Sequence, residues 1–212
     1  MSRIAGSGRL LAVGDIHGCR EQLVALLEKV RPQPSDQLIF LGDYIDRGPH
    51  SKQVVDVLLD LRRRLPHCIF LKGNHEAMLE EYLVQGEKER FLRNGGDATL
   101  ASYAASGRAE IPPTHREFFG QLRLYHQTED FIFVHAGMRP GVPLAGQREL
   151  DLLWIREDFL GSSYDWGKIV VFGHTPQPTP LLSPNRIGLD TGAVYGGRLT
   201  CCEVRSRQLW QT

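Results

Sequence analysis

A chain of 212 residues, 42% hydrophobic and 24% charged, is long enough for one sizeable core and has an ordinary globular composition. Its 25 basic residues balance 25 acidic ones, which argues against the broad basic field of a bulk nucleic-acid or acidic-membrane binder. No apolar run reaches membrane-span length and Met1 to Gly6 lacks a signal-peptide stretch, so residues 1–212 are expected to form one cytoplasmic domain.

In chain order, Leu10-Leu11-Ala12-Val13 reads as a buried strand closed by Gly14-Asp15-Ile16-His17-Gly18. Leu23, Leu26, Leu27 and Val30 then fall at i, i+3, i+4 and i+7, which predicts an amphipathic helix. Leu38-Ile39-Phe40-Leu41 leads into Gly42-Asp43-Tyr44-Ile45-Asp46-Arg47-Gly48. Ser51 is placed to cap a helix carrying Val54, Val55, Leu58, Leu61 and Leu65, stopped by Pro66. Cys68-Ile69-Phe70-Leu71 leads into Gly73-Asn74-His75-Glu76, and His75 to Gln85 reads as a helix packing Met78, Leu79 and Tyr82. Strand, motif and helix in alternation predict a largely parallel sheet with its site beyond the carboxyl ends of the strands.

From Gly86 to about Leu124 the chain is polar and helical in pattern, with a loop near Ser106 to Pro113. Asn94-Gly95-Gly96-Asp97 within it reads as a turn linking two helices, or as the lining of an opening. The short runs 124–127, 131–135, 169–172, 187–189 and 199–204 predict a second, mixed or antiparallel sheet. Glu149 to Phe159 looks helical. The expected architecture is therefore α/β, a sandwich of two sheets flanked by helices. Cys19, Cys68, Cys201 and Cys202 have no zinc-ribbon spacing and read as free or buried thiols of a reducing cytoplasm. In a strand the adjacent Cys201 and Cys202 would face opposite sides.

Five strand ends thus deliver ligand-type side chains, the last two being His135 after Phe131-Ile132-Phe133-Val134 and His174 after Val170-Val171-Phe172-Gly173. Asp15 and His17, two apart on a strand end, can face the same way and offer an oxygen and a nitrogen. The two oxygens of Asp43 can bridge two cations, while Asn74, His135 and His174 add one oxygen and two nitrogens. That mixed set suits Mn²⁺, Fe or Zn²⁺ better than Mg²⁺ or Ca²⁺. Two such ions at about 3.5–4 Å would acidify a bridging water and clamp an in-line displacement. Their charge would welcome a phosphate dianion.

The blocks GDIHG, GDYIDRG and GNHE, together with Val134-His135-Ala136-Gly137 and Phe172-Gly173-His174, resemble the metal-dependent phosphoprotein phosphatase family with its calcineurin-like fold. Trp154-Ile155-Arg156 and Leu189-Asp190-Thr191-Gly192-Ala193 look like its compact bacterial and bacteriophage branch of serine/threonine protein phosphatases. The resemblance spans roughly residues 9 to 205. It implies two divalent ions, Mn²⁺ foremost, with Asp15 and His17 on the first, Asp43 bridging, and Asn74, His135 and His174 on the second. It further implies phosphate binding by Arg47 and Arg156, proton delivery by His75 oriented by Asp46, and Tyr195 on a loop over the metals.

The implied reaction is hydrolysis of phosphoserine and phosphothreonine in proteins, with phosphotyrosine as a further class, by direct attack of a metal-bridging hydroxide. Phosphorylated proteins or peptides are then the partners. The alternatives are a symmetrical dinucleoside tetraphosphate hydrolase, which shares these motifs, and a catalytically dead binding module, which should have lost a ligand or His75. Three readings stay with the residues themselves: Arg156 could instead form a surface ion pair among Glu149, Asp151, Glu157 and Asp158; Tyr195-Gly196-Gly197 could be an ordinary turn; and Asp190 reads as structural. His50, His67, His115 and His126 read as solvated or packing residues.

Overall fold

A computed structural model describes residues 8–105 and 110–212. The first part of the chain alternates strands and helices: β1 (Leu10–Val13), α1 (Arg20–Val30), β2 (Gln37–Phe40), α2 (Ser51–Arg64), β3 (Cys68–Phe70) and α3 (Asn74–Gln85). Three helices follow, α4 (Lys88–Arg93), α5 (Gly96–Ala104) and α6 (Pro113–Gly120). Next come β4 (Tyr125–Gln127), β5 (Phe131–Val134), α7 (Glu149–Trp154), α8 (Glu157–Leu160) and β6 (Ile169–Phe172). The chain closes with β7 (Leu181–Leu182), β8 (Arg186–Gly188), β9 (Thr200–Glu203) and β10 (Gln208–Gln211).

These strands form two five-stranded sheets, ordered β10-β9-β1-β2-β3 and β4-β5-β6-β8-β7. In the first, β1, β2 and β3 run parallel, while β9 and β10 are antiparallel additions on the far side of β1. In the second, β5, β6 and β8 are parallel, flanked by antiparallel β4 and β7. Side-chain alternation sorts the strand residues into layers. Leu10 and Ala12 of β1 join Phe131 and Phe133 of β5 in a cluster that also holds Ile39, Leu41, Val171 and Ile187. Leu11 and Val13 belong to the cluster built on the helices α1, α2 and α3, and Ile132 and Val134 to the one containing Leu152 and Phe159. The result is an α/β sandwich of mixed sheets flanked by helices. Its parallel strands are buried on both faces, which is why they read as unbroken apolar runs.

Several expectations need correcting. The run 199–204 does not enter the second sheet: β9 pairs antiparallel with β1, from Leu11 opposite Glu203 to Val13 opposite Cys201. Strands β7 and β10 carry no pattern that was singled out. Ser51 is the first residue of α2 rather than its cap, and its hydroxyl accepts from the Asp46 N–H instead. The stretch Glu149 to Phe159 is broken in two, with Arg156 (φ −131°, ψ −93°) between α7 and α8. The loop near Ser106 to Pro113 falls in part, at 106–109, outside the described residues, as do residues 1–7 at the N-terminus. As expected, Cys201 and Cys202 join different hydrophobic clusters, and all four cysteines are free. His115 is a buried packing residue held by Tyr103 and Asp56.

Candidate metal centre

The parallel strands of both sheets end at one place. Asp15 and His17 follow β1, Asp43 to Arg47 follow β2, and Asn74 and His75 open α3 after β3, while His135 and His174 follow β5 and β6. Asp15, His17, Asp43, Asp46, Asn74, His75, His135 and His174 are all buried. Of the seven non-glycine residues with positive φ among the described residues, five are His17, Asp43, Asp46, Arg47 and His174. Left-handed backbone costs energy for a residue with a side chain, so its concentration here marks geometry held for a purpose other than stability.

At the centre stands the Asp43 carboxylate. Its Oδ2 lies 3.4 Å from His17 Nε2 on one side and 3.4 Å from His135 Nε2 on the other. Asn74 Oδ1 is 2.8 Å from His135 Nε2 and 2.9 Å from His174 Nδ1, and those two ring nitrogens are 3.2 Å apart. The opposite nitrogens of His17 and His135 meet carbonyls, Ile45 O at 2.8 Å and Leu41 O at 2.9 Å. A carbonyl accepts only, so each Nδ1 carries the proton and each Nε2 turns a lone pair inward. Burial pulls the imidazoles of His17 and His174 down to about 3 and about 2 and lowers His135 as well, so all three are neutral ligands. Asp15 Oδ2 accepts from the His174 N–H, while Asp15 Oδ1, His75 Nε2 and His174 Nε2 are buried without a hydrogen-bond partner.

Converging lone pairs with no proton between them fit divalent cations. Two overlapping groups arise, His17-Asp43-His75 and Asp43-His135-His174, each with its donor atoms within 4.8 Å of one another and with Asp43 common to both. The first includes His75 where Asp15 was expected. Yet the His75 ring only borders that group, at 4.0 Å from Asp43 Oδ2, and its Nδ1 is committed to Asp46 Oδ2 at 2.6 Å.

Charge balance explains the carboxylates. Burial works to raise Asp43, but His135, His75, His17 and His174 together hold it well below the usual carboxylate range. Asp15 is pushed up by burial and by the charges of Asp190 and Asp43, a repulsion that cations would relieve. Glu76 accepts from the N–H groups of Asp43 and Gly73 with Oε2 and from that of Tyr44 with Oε1, at 2.8–2.9 Å. It therefore ties the β2 loop to the β3 loop, although burial and then Asp43 push its carboxyl up to about 8. Gly73 is required by the same approach, since a Cβ there would lie 2.1 Å from Asp43 Oδ1.

Around this centre lie the arginines. Arg47 Nη1 is 2.6 Å from His17 Nε2, and its guanidinium carbon is 5.5 Å from the centroid of the exposed Tyr195 ring. Arg156 makes no ion pair among the described residues. Its charge instead helps lower His135 and His174, which puts it at the centre's edge rather than in the surface pair that its acidic neighbours suggested. The Asn94–Asp97 turn does link α4 to α5, and its Gly95 carbonyl also accepts from the Arg47 N–H.

Two contributors went unrecognised in the sequence. Asp190, read as structural, is buried beside the centre with its carboxyl pushed up to about 6, chiefly by burial. It follows the short run Ile187-Gly188-Leu189 at the end of β8 as Asp43 follows β2, and that shared pattern was the available signal. Thr99 on α5, far off in sequence, donates to Asp46 Oδ1 at 2.6 Å; no local signal marks it.

A two-sheet sandwich with buried Asp, Asn and His at converging strand ends defines a metallophosphoesterase. The family model of calcineurin-like phosphoesterases matches residues 8–201, and the chain belongs to that family, which works with a dinuclear divalent metal centre. The asymmetrical bis(5'-nucleosyl)-tetraphosphatase PrpE of Halalkalibacterium halodurans is 28% identical over 217 residues, covering 89% of this chain and 87% of the relative. That of Bacillus thuringiensis is also 28% identical, over 222 residues and with the same coverage. A crystal structure provisionally assigned as a diadenosine tetraphosphatase superposes with a TM-score of 0.76 at 27% identity, covering 100% of this chain and 95% of the other. A cold-active protein tyrosine phosphatase shares the fold alone, with a TM-score of 0.69 at 17% identity over 97% of this chain and 79% of the other.

Proposed function

We propose that this protein hydrolyses dinucleoside tetraphosphates with the help of two divalent cations, Mn²⁺ foremost, working as one domain in the cytoplasm. What carries the proposal is the coincidence of an intact ligand set with tetraphosphatase relatives over nearly the whole chain. The tetraphosphatase alternative thereby moves ahead of the protein phosphatase first expected, and the relatives' names give asymmetrical rather than symmetrical cleavage. In this scheme His17, Asp43, Asn74, His135 and His174, with Asp15, would hold the cations, which when bound would supply an acidified water and neutralisation of phosphoryl charge. Arg47 and Arg156 offer planar forks to the phosphoryl oxygens, and Tyr195 stands beside Arg47 at the entrance.

One observation favours a second substrate class. His75 Nε2 is buried and unpartnered while its Nδ1 is held by Asp46, which suits protonation of a leaving oxygen. A departing nucleotide phosphate needs such help little, whereas a serine alkoxide needs it greatly. Phosphoserine or phosphothreonine peptides are accordingly the second proposal, with phosphotyrosine beside them.

Purified protein with Mn²⁺ should be assayed in parallel on diadenosine tetraphosphate and a phosphoserine peptide. Release of AMP with ATP supports asymmetrical cleavage, and release of ADP alone supports symmetrical cleavage. Turnover of the peptide alone sinks the tetraphosphatase proposal.

A further inference from the structure

The acid pair His75–Asp46 is not free-standing. Asp46 has a left-handed backbone, φ 71°, and its carboxylate is fully buried. Two hydroxyls from separate helices surround it. Thr99 of α5 donates to Asp46 Oδ1 at 2.6 Å and accepts from the Asp46 N–H at 2.8 Å. Ser51 of α2 accepts from the same N–H at 3.1 Å and stands 3.0 Å from Thr99 Oγ1. Thr99 and Ser51 are themselves completely buried.

We propose that Thr99 is a positioning residue for the proton-delivering histidine, acting through Asp46. The argument is one of hydrogen-bond capacity. The Thr99 hydroxyl engages one carboxylate oxygen, so Oδ2 is left to face His75 Nδ1 at 2.6 Å. By returning to the N–H of the same residue, the hydroxyl also closes a ring that holds the strained backbone in place. The His75 imidazole so fixed keeps its first proton on Nδ1, and a second proton, carried on Nε2, which has no partner in the protein, is the one free to pass to a leaving oxygen. Ser51 cannot substitute, because it reaches the N–H but makes no hydrogen bond to the carboxylate. The inference rests on the phosphohydrolase function proposed above and adds to it a residue 53 positions from Asp46 that belongs to none of the motif blocks.

The test uses the Mn²⁺-loaded protein and two aryl esters, p-nitrophenyl phosphate, whose phenolate leaves without help, and phenyl phosphate, whose phenolate needs a proton. Thr99→Val keeps the side chain's shape and removes the hydroxyl. It should lower kcat on phenyl phosphate by about ten-fold, a fraction of the ~10²–10⁴-fold that general acid help provides, and change p-nitrophenyl phosphate turnover by less than about two-fold. Thr99→Ser should restore the ratio, and metal content should be unchanged in both. Equal losses on the two esters, or no rescue by serine, would overturn the positioning role. Should Thr99→Val fail to fold, the ratio measured for Thr99→Ser and Thr99→Ala decides in its place. A native protein inactive on both esters overturns the inference, and overturns the phosphohydrolase function as well only if diadenosine tetraphosphate is also left uncleaved, whereas an active native protein with an unmoved ratio overturns the inference alone.

Discussion

The two sheets build their shares of the metal centre differently. The first sheet delivers Asp15, His17, Asp43, Asp46, Arg47, Asn74 and His75 from three loops, most of them in left-handed backbone and laced together by Glu76. The second delivers only His135 and His174, from strand ends and with His174 alone in left-handed backbone, steadied by the Leu41 carbonyl, by the Asp15 carboxylate that accepts from the His174 N–H, and by the Asn74 side chain of the first sheet's share. Strained loops place many groups at close quarters but need an internal tie. Strand ends place few groups and borrow their rigidity from the sheet. The first half should therefore be the fragile one, and it should fail through residues that touch no substrate.

The largest effect is expected where the halves meet. Asp43→Asn keeps the shape but removes the charge that four imidazoles share, and should lower kcat/KM by more than the ~10²-fold upper range for groups one step from a metal. Metal analysis should show both ions lost; a variant holding two ions at native affinity would refute the bridge. Next comes the tie. Glu76→Gln turns one acceptor oxygen into a donor facing the N–H groups of Asp43 and Gly73 or of Tyr44, and should weaken metal binding by roughly 10–100-fold. Competition titrations that find it unchanged would dissolve the distinction between the halves.

Smaller again is the loss of an arginine. Arg156→Ala removes a charge-assisted contact worth about 1.5–3 kcal/mol, so catalytic efficiency should fall by tens-fold with metal content intact. Kinetics like those of the native protein would return Arg156 to a surface role. The smallest effect lies outside the centre, at Asp151 on α7, bonded to Arg139 and Arg148 at 2.7 and 2.8 Å. Those bonds hold its carboxyl below the usual range, so its stabilisation is present above the unfolded carboxylate value of about 4 and fades as pH falls below it. Asp151→Asn should lower the urea midpoint modestly at pH 7 and have progressively less effect as the pH is lowered below 4. An equal deficit at both pH values would count against the ion pairs.

The same contrast explains what the sequence disclosed. Groups placed by loops arrive as contiguous blocks, so Gly42 to Gly48 or Gly73 to Glu76 can be read directly. Helix α1 announces itself by Leu23, Leu26 and Val30, all buried as their spacing demands. Partnerships between distant segments leave no local trace. Nothing in 199–204 says that β9 will pair with β1 rather than extend the second sheet, because one apolar strand suits either neighbour. Thr99 is one threonine on a helix until Asp46 is brought against it. The break at Arg156 is invisible to a pattern that continues through it, since Leu152, Leu153 and Phe159 are buried on both sides. Ser51 has the chemistry of a cap, but Asp46 claims its oxygen.

The pairing of β1 with β9 also bears on how the chain comes to be folded. Strand β1 is made before the other described strands, finds β2 within some thirty positions, and meets its other neighbour only when Thr200–Glu203 has been made. Until then one side of Leu10–Val13, with its row of free N–H and C=O groups, is an apolar edge of the kind that recruits strands from other chains. Closure over so long a separation is slow. The half-made protein should accordingly depend on rapid completion or on shielding by chaperones more than its finished, fully buried β1 would suggest. Nascent chains arrested before residue 200 should aggregate, and those arrested behind an added linker long enough for Gln211 to clear the exit tunnel should not.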